Sequence, residues 1–334
     1  MLGNGMFEIE DLVKNHGWIY ISRPWDKTIW ISDNLELNTD FLLNHKAQKS
    51  KLIVDMSIEH WGGTQSQCID MVYKLLNQYF DDFILLSHSP IDHLRLPNLL
   101  FFPYWYYRTI SRFHSDTVND LPKRYKVSCL NGFPKFHRIA NFRYLVDKPY
   151  KEDIFKKIHR DGRKSCSRPD DYTLSEDLMN WWKEYSESIE YTRDNLTNIW
   201  NHKIDGSFPA FSDSYINLVA ETSVLPEVFV TEKTWKAVAS GQLFVIFGNC
   251  HTVDLLKDLG VDVFDDIIDH RYYDQEPDWL RRLEKLHKVL DDLVAKDLYK
   301  IWAQTYPRRL ANQNKFFAGD FGNTYKTQLV NRLS

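Results

Sequence analysis

The 334-residue chain has four cysteines, Cys68, Cys129, Cys166 and Cys250, and no CxxC pair. That sparse spacing argues against a zinc ribbon and a disulfide framework. The first residues, MLGNGMFEIEDLVKNHGW, lack a basic stretch followed by an apolar one, so no signal peptide is expected. No run of about 18 apolar residues offers a membrane span. Together these absences point to a cytoplasmic protein without a membrane partner. Repeats and low-complexity segments are absent too. The formal net charge of −4 supplies no global basic field, so a nucleic-acid contact would need a local patch. Asn195-Leu196-Thr197 fits a glycosylation sequon, which without a secretory signal is a chance match.

Aromatic residues are abundant: 11 Trp, 18 Tyr and 20 Phe within a 43% hydrophobic composition. This chain can bury one large or two medium cores. The same side chains can also build surfaces on which sugars or bases stack.

The pattern along the chain is α/β. Residues 1–50 form an irregular lead-in with short strands expected at Trp18–Ser22 and Thr28–Ser32. Lys51–Asp55 reads as a compact strand. Thr64 can cap a helix to Phe80, with Ile69, Val72, Tyr73, Leu75, Leu76 and Phe80 at helical spacing. Strands follow at Phe83–Ser87 and Asn98–Phe102. Strand, glycine loop, helix, strand is the opening of a doubly wound domain, whose ligands sit beyond the C-terminal strand ends. Asp55, Glu59 and Gly62–Gly63 belong at that end. Leu121-Pro122-Lys123 marks a boundary. A strand at Arg124–Leu130, a helix at Lys135–Leu145, an exposed basic loop at Lys156–Arg168 and a helix at Leu174–Ser188 come next. They precede a strand at Ser214–Ala220. A helix near Val253–Leu259 and two long helices, Trp279–Val294 and Ala295–Phe317, complete the reading.

The most informative stretch is Phe229–Gly248, FVTEKTWKAVASGQLFVIFG. Thr231 can cap a helix, with Glu232 favourable in its first turn. The helix N-terminus and Lys233 favour a phosphate, and Glu232 can accept from sugar hydroxyls. The plainer reading is a capped surface helix carrying a solvated Glu–Lys pair. Lys236, one turn on, reads as an ordinary solvated lysine.

Three segments line up: Ser128-Cys129-Leu130-Asn131 with Arg138 downstream, Tyr215–Ser223 (YINLVAETS), and Phe229–Gly248. Over Tyr125–Gly248 their order and spacing resemble the donor domain of the family 10 fucosyltransferases. The resemblance implies a GT-B fold, with two facing Rossmann-like domains. It implies residues 1–122 as an acceptor-side domain and 123–305 as the nucleotide-sugar-binding domain. Residues 306–334 would form a C-terminal helix or tail packing back on the first domain. It also implies an inverting transfer from a nucleotide-diphosphate sugar, used as co-substrate with no other cofactor. By the same carry-over, Arg138 and Lys233 bind the diphosphate and Glu232 the ribose. Glu221 lies near the sugar or phosphates, Phe229 packs beside the nucleotide, and Thr231 completes the motif. No Asp-x-Asp metal motif is present, which favours metal-independent transfer.

Thr222 stands where the family has Asn, and Leu243-Phe244-Val245 lacks its proline. In this form the chain is more similar to glycosyltransferases of large tailed bacteriophages. Some of these modify hydroxymethylated cytosine in phage DNA, including with arabinose. That resemblance implies double-stranded DNA carrying 5-hydroxymethylcytosine as acceptor partner, an arabinose donor, UDP-linked, and the host cytoplasm as location.

For the catalytic base, Glu59 and then Asp55 are the candidates, since a carboxylate at a strand end can take a proton from a hydroxyl. His60 is a third. The plainer reading makes Asp55 a loop-holding hydrogen-bond acceptor. Tyr104–Phe113 (YWYYRTISRF) interleaves aromatics with Arg108 and Arg112, and the basic loop holds Arg163 and Lys164. Tyr104, Arg108, Arg112, Arg163 and Lys164 are the candidate DNA contacts; a core segment beside solvated charge is the plainer account. Trp181–Trp182 reads as core. Two other functions stay open: a fucosyltransferase-like enzyme acting on a surface glycan, and a non-catalytic module that binds glycan or DNA.

Overall fold

In a computed structural model, the structure describes residues 9, 13, 15–22, 38–57, 65–90, 96–132, 134–158, 176–188, 206–224 and 227–334. In chain order the elements begin β1 (Ile19–Ser22), α1 (Thr39–Ala47), β2 (Leu52–Met56), α2 (Gln65–Tyr79), β3 (Phe83–Ser87), β4 (Leu99–Phe101) and α3 (Tyr104–Ile110). They continue with β5 (Tyr125–Asn131), α4 (Phe136–Val146), β6 (Ile154–Ile158), α5 (Glu176–Ser188), β7 (Ser214–Ala220), α6 (Glu232–Ala239), β8 (Leu243–Phe247) and α7 (Thr252–Asp258). Then come α8 (Trp279–Val294), α9 (Leu298–Gln304), α10 (Tyr306–Ala318) and α11 (Asn323–Leu333). The expected strand at Thr28–Ser32, the Thr64 cap and the Gly62–Gly63 loop lie outside the described residues. Among the described residues no helix is long and apolar enough to cross a membrane.

The chain divides into two compact units. The first holds Met1–Ser111, Glu227–Phe229 and Gly322–Ser334; the second holds Arg112–Pro226 and Val230–Phe321. Each is α/β with a parallel sheet, ordered β1-β2-β3-β4 in the first and β6-β5-β7-β8 in the second.

In the first unit, alternate residues of β2 and β3 face opposite sides of the sheet. Leu52, Val54, Met56 and Leu85 pack on one side with Leu42, Ile69, Val72 and Leu76 from α1 and α2. Ile53, Ile84 and Leu86 pack on the other with Trp18, Phe102, Leu329 and Leu333. Burial on both faces explains why these strands read as continuous apolar runs. Helix α11 therefore completes this unit, and the Trp18 Nε1–H donates to the Leu333 carbonyl at 3.1 Å.

In the second unit, all of β7 and β8 is buried. Ile139, Phe142, Ile158, Leu178 and Trp182 join α4, β6 and α5 in one cluster. Trp182 is thus a core residue, as the sequence suggests, while Trp181 stacks on Tyr185 with centroids 4.8 Å apart. Helix α10 packs on α6 through Trp235 and Phe316.

Two expectations are corrected. The basic segment from Lys156 is not loop throughout, because Lys156-Lys157-Ile158 belongs to β6. This strand lies at the sheet edge, where lysines are tolerated and block further pairing. Lys157 covers the rings of Phe155 and Phe208. Ala295–Phe317 is not one helix but α9 and α10, separated at Thr305. Pro307 has no N–H to offer the Ala303 carbonyl, and its ring would clash one turn back.

Candidate functional site

The strand order of the second unit fixes where a ligand can sit. From β5 the chain goes out to the edge strand β6, then returns to the other side of β5 as β7. The connections after β5 and after β7 diverge to opposite sides, leaving a crevice at their C-terminal ends. Asn131 ends β5, and Glu221 follows β7. Among the described strands of the first unit, the sequential order creates no such switch point.

Helix α4 follows β5 and α6 follows β7, so both helix N-termini start at this crevice. Thr231 is the N-cap of α6, its hydroxyl accepting from the Lys233 N–H at 3.5 Å. The Glu221 carboxylate is fully buried and holds this corner together. One oxygen accepts from the Thr231 N–H at 3.0 Å and the Thr234 hydroxyl at 2.6 Å. The other accepts from the Thr222 N–H at 3.2 Å and the Thr231 hydroxyl at 2.5 Å. Four donors on one carboxylate fill its ordinary acceptor capacity. Glu221, expected beside sugar or phosphate, is placed here as the brace of α6.

Four basic side chains converge on Glu221 and Thr222. The Glu221 carbonyl accepts from His137 Nε2 at 2.9 Å and Arg138 Nη2 at 3.1 Å. The Thr222 carbonyl accepts from Lys135 Nζ at 2.8 Å. Lys233 Nζ donates to the hydroxyls of Thr222 and Thr231, both at 3.0 Å, and to Glu232 at 3.2 Å. Thr222, the departure from the family's Asn, thus places a hydroxyl on Lys233. Lys236 is half-buried one turn along α6, 5.9 Å from the centre of the Phe113 ring.

The electrostatics are those of a cation-rich cluster. Burial lowers the pKa of Arg138, although Glu221 and Glu232 oppose it. Burial, then Arg138 and Lys135, push the His137 imidazole well below its ordinary value, so it is neutral at physiological pH. Burial would raise the Glu232 carboxyl, but Lys233 and Lys236 outweigh it and hold it below the usual range. Lys236 is lowered by burial, with Glu232 opposing and Lys233 adding to the shift. With the positive end of α6 beside these cations, this arrangement suits a phosphorylated ligand.

Structure therefore brings Arg138, Glu221, Thr231, Glu232 and Lys233 together. Lys135, which drew no attention in the sequence, joins them, and so does Lys236, which is half-buried rather than the solvated lysine expected. A lysine at the N-cap of the helix after a switch-point strand, and one at i+3 from Lys233, were the available signals. Phe229, expected beside a nucleotide, groups with the first unit. It is buried in the first unit, its ring 4.3 Å from that of His88.

Glu59, His60, Arg163 and Lys164 lie outside the described residues. Asp55 is fully buried at the end of β2. It accepts from the Tyr20 hydroxyl at 2.5 Å and from the Ser57 N–H and hydroxyl at 2.8 and 2.5 Å. Burial raises its pKa against these bonds. Its carboxylate ties β1 to the turn after β2, the plainer of the two readings. In the aromatic–basic segment, Tyr106 is fully buried and the Tyr107 hydroxyl donates to the Gly322 carbonyl at 2.6 Å. Arg108 donates to the Tyr104 hydroxyl at 2.6 Å and lies near the faces of Tyr104 and Trp105. These aromatics are largely used within the fold, and Arg112 is exposed.

No known family model matches the sequence, and no curated protein matches it. Among solved structures, the crystal structure of the DNA-modifying enzyme beta-glucosyltransferase, in the presence and absence of the substrate uridine diphosphoglucose, is similar over 82% of this chain and 79% of that one. The two are 14% identical with a TM-score of 0.28, below the level at which two folds can be equated.

Proposed function

We propose that the chain is a nucleotide-sugar-dependent glycosyltransferase whose donor binds at the switch point of the second unit. One observation carries the reading. Arg138, Lys233 and the N-terminus of α6 converge where β5 and β7 end, with Glu232 beside them. A diphosphate offers oxygens that can replace Thr222 and Glu232 as acceptors for Lys233. The two parallel-sheet α/β units support the GT-B class.

In the proposed transfer, an acceptor hydroxyl oxygen attacks the anomeric carbon. The new carbon–oxygen bond forms as the bond to the diphosphate breaks on the opposite face, inverting the centre. The hydroxyl proton passes to a carboxylate. Charge growing on the leaving diphosphate is met by fixed cations, Arg138 and Lys233, which need no reorganisation. Glu59 is the proposed base, because three donors already engage the Asp55 carboxylate.

The proposed acceptor is 5-hydroxymethylcytosine in double-stranded DNA, flipped from the stack to be reached. Arabinose from a UDP-linked donor is the first choice of sugar, with glucose and fucose next. A surface glycan is the second reading, favoured by the internal use of Tyr104, Tyr106 and Tyr107, which removes a base-stacking platform.

The test incubates the protein with hydroxymethylated DNA, or with glycan acceptors, and a panel of nucleotide sugars, followed by mass spectrometry. Transfer should fall by on the order of 100-fold in Lys233→Ala and Arg138→Ala, the usual cost of removing one donor to a developing anion. Undiminished transfer in both variants would overturn the donor site. If no nucleotide sugar is hydrolysed, transferred or able to raise the melting temperature, the enzyme reading fails as a whole.

A further inference from the structure

Two buried hydrogen-bond acceptors at the switch point take no part in holding the cations. His137 is 1% exposed, and its Nε2–H donates to the Glu221 carbonyl. That bond fixes the neutral tautomer and leaves Nδ1 as a bare acceptor. Nδ1 is buried and meets no hydrogen-bond partner among the described residues. Asn131 is fully buried at the end of β5. Its Nδ2–H donates to Cys129 Sγ at 3.2 Å, which leaves Oδ1 likewise without a partner among the described residues.

Buried polar atoms are rarely left in this state, and each instance calls for a reason. The nearby lysines do not supply one. Lys135 is engaged by the Thr222 carbonyl, and Lys233 by three oxygens. Gly132, next to Asn131, leaves room: apart from its chain neighbours, among the described residues a Cβ there would meet only Arg138 Nη1, at 3.8 Å. The open ground beside Asn131 therefore borders the guanidinium proposed to hold phosphate.

We infer that Asn131 Oδ1 and His137 Nδ1 receive hydroxyl donors of the same ligand whose phosphates the cations hold. The inference rests on the proposed donor site and narrows its ligand. The site takes a polyhydroxylated organic phosphate in preference to a bare polyphosphate. Ribose and transferred sugar present the same donor chemistry, and the experiment separates them.

Isothermal titration calorimetry on the whole chain gives affinities for inorganic pyrophosphate, UDP and UDP-glucose. The variants are Asn131→Leu, which keeps the shape and loses the acceptor, and His137→Gln, which can still donate to the Glu221 carbonyl but lacks Nδ1. Each should cut the preference for UDP over pyrophosphate, or for UDP-glucose over UDP, by about tenfold, the effect of one neutral hydrogen bond. Loss of the first ratio assigns the pair to the ribose, and loss of the second to the transferred sugar. Affinity for pyrophosphate should stay within about twofold. Because the readout is a ratio within each variant, a fraction of unfolded protein cancels. Unchanged ratios in both variants, or affinities that fall equally for all three ligands, overturn the inference and leave the donor site standing. A wild-type chain that binds none of the three removes the donor site itself.

Discussion

Glu221→Gln separates two roles for one carboxylate. If Glu221 braces α6, the substitution is expensive for the fold, and the structure says how expensive. Each carboxylate oxygen accepts one backbone N–H and one hydroxyl: Thr231 N–H with Thr234 on one, Thr222 N–H with Thr231 on the other. A glutamine amide must place its NH2 where one oxygen was. The hydroxyl there can rotate away, but the backbone N–H cannot, so one buried donor faces another. A weakened charge-assisted bond costs about 1.5–3 kcal/mol and an orphaned buried donor about 1–3 kcal/mol. Placing the NH2 on the half-buried Thr222 side, where the bond is longest, brings the sum to the lower end, about 2.5 kcal/mol. For a folding unit of this size that lowers Tm by about 5–10 °C. Thr234→Val, which removes one donor and leaves the carboxylate charged, should cost only about 1 kcal/mol. Thermal unfolding paired with nucleotide titration checks both. A Glu221→Gln protein with wild-type Tm and no nucleotide binding would refute the reasoning, because the carboxylate would then be touching ligand rather than holding the helix.

Three further outcomes are expected. Lys236→Ala should weaken UDP binding by about five- to tenfold in calorimetry while leaving Tm nearly unchanged, since relief of the ammonium's burial offsets the lost attraction to Glu232. Burial lowers the His270 imidazole to about 4, and its nitrogens are engaged by the Tyr273 hydroxyl and the Val263 carbonyl. A depressed folded pKa means that this stability is complete above about pH 6.5 and is lost as pH falls towards 4, by about 2 kcal/mol at pH 5. Asp274, raised to about 7 by burial, gains stability over the same fall in pH and offsets a loss of this size, so the His270 effect is read from its own resonances rather than from global stability. The His270 ring resonances followed by NMR should not titrate above pH 5, and a midpoint near 6.5 would contradict the packing. Gly241 has φ +61° and its Cβ position is occupied by Val118. Gly241→Ala should therefore destabilise by about 2–4 kcal/mol in urea unfolding, from left-handed strain and overpacking together.

The parts of this molecule legible in the sequence are those governed by local chemistry. The runs at 52–56, 83–87, 214–220 and 243–247 announce strands because burial on both sheet faces demands mostly apolar residues. Thr231 as an N-cap is readable for the same reason, since the capping oxygen and the N–H it receives are two residues apart. Strand β6 was hidden because an edge strand tolerates the lysines that make a segment look like loop. The break at Thr305 was hidden by an amphipathic pattern that continues on both sides of Pro307, although the proline itself was the available signal. In the candidate site, the sequence supplied Arg138, Glu232 and Lys233 but not the division of labour. That Glu221 braces while Lys135 and Lys236 add charge depends on strand order, which brings residues about 90 positions apart onto one crevice and leaves no local trace.

The packing of α11 in the first unit sets a timetable for synthesis. The strands of that sheet are complete by residue 101, yet Leu329 and Leu333, which cover one of its faces, belong to a helix beginning at residue 323. At about 5–20 residues per second, the intervening stretch takes roughly 10–45 s to translate. Through that interval Ile53, Ile84 and Leu86 wait for part of their cover, while every strand of the second unit is made in the meantime. The half-built first sheet is thus the nascent chain's exposed, aggregation-prone surface, and the natural place for a chaperone to act.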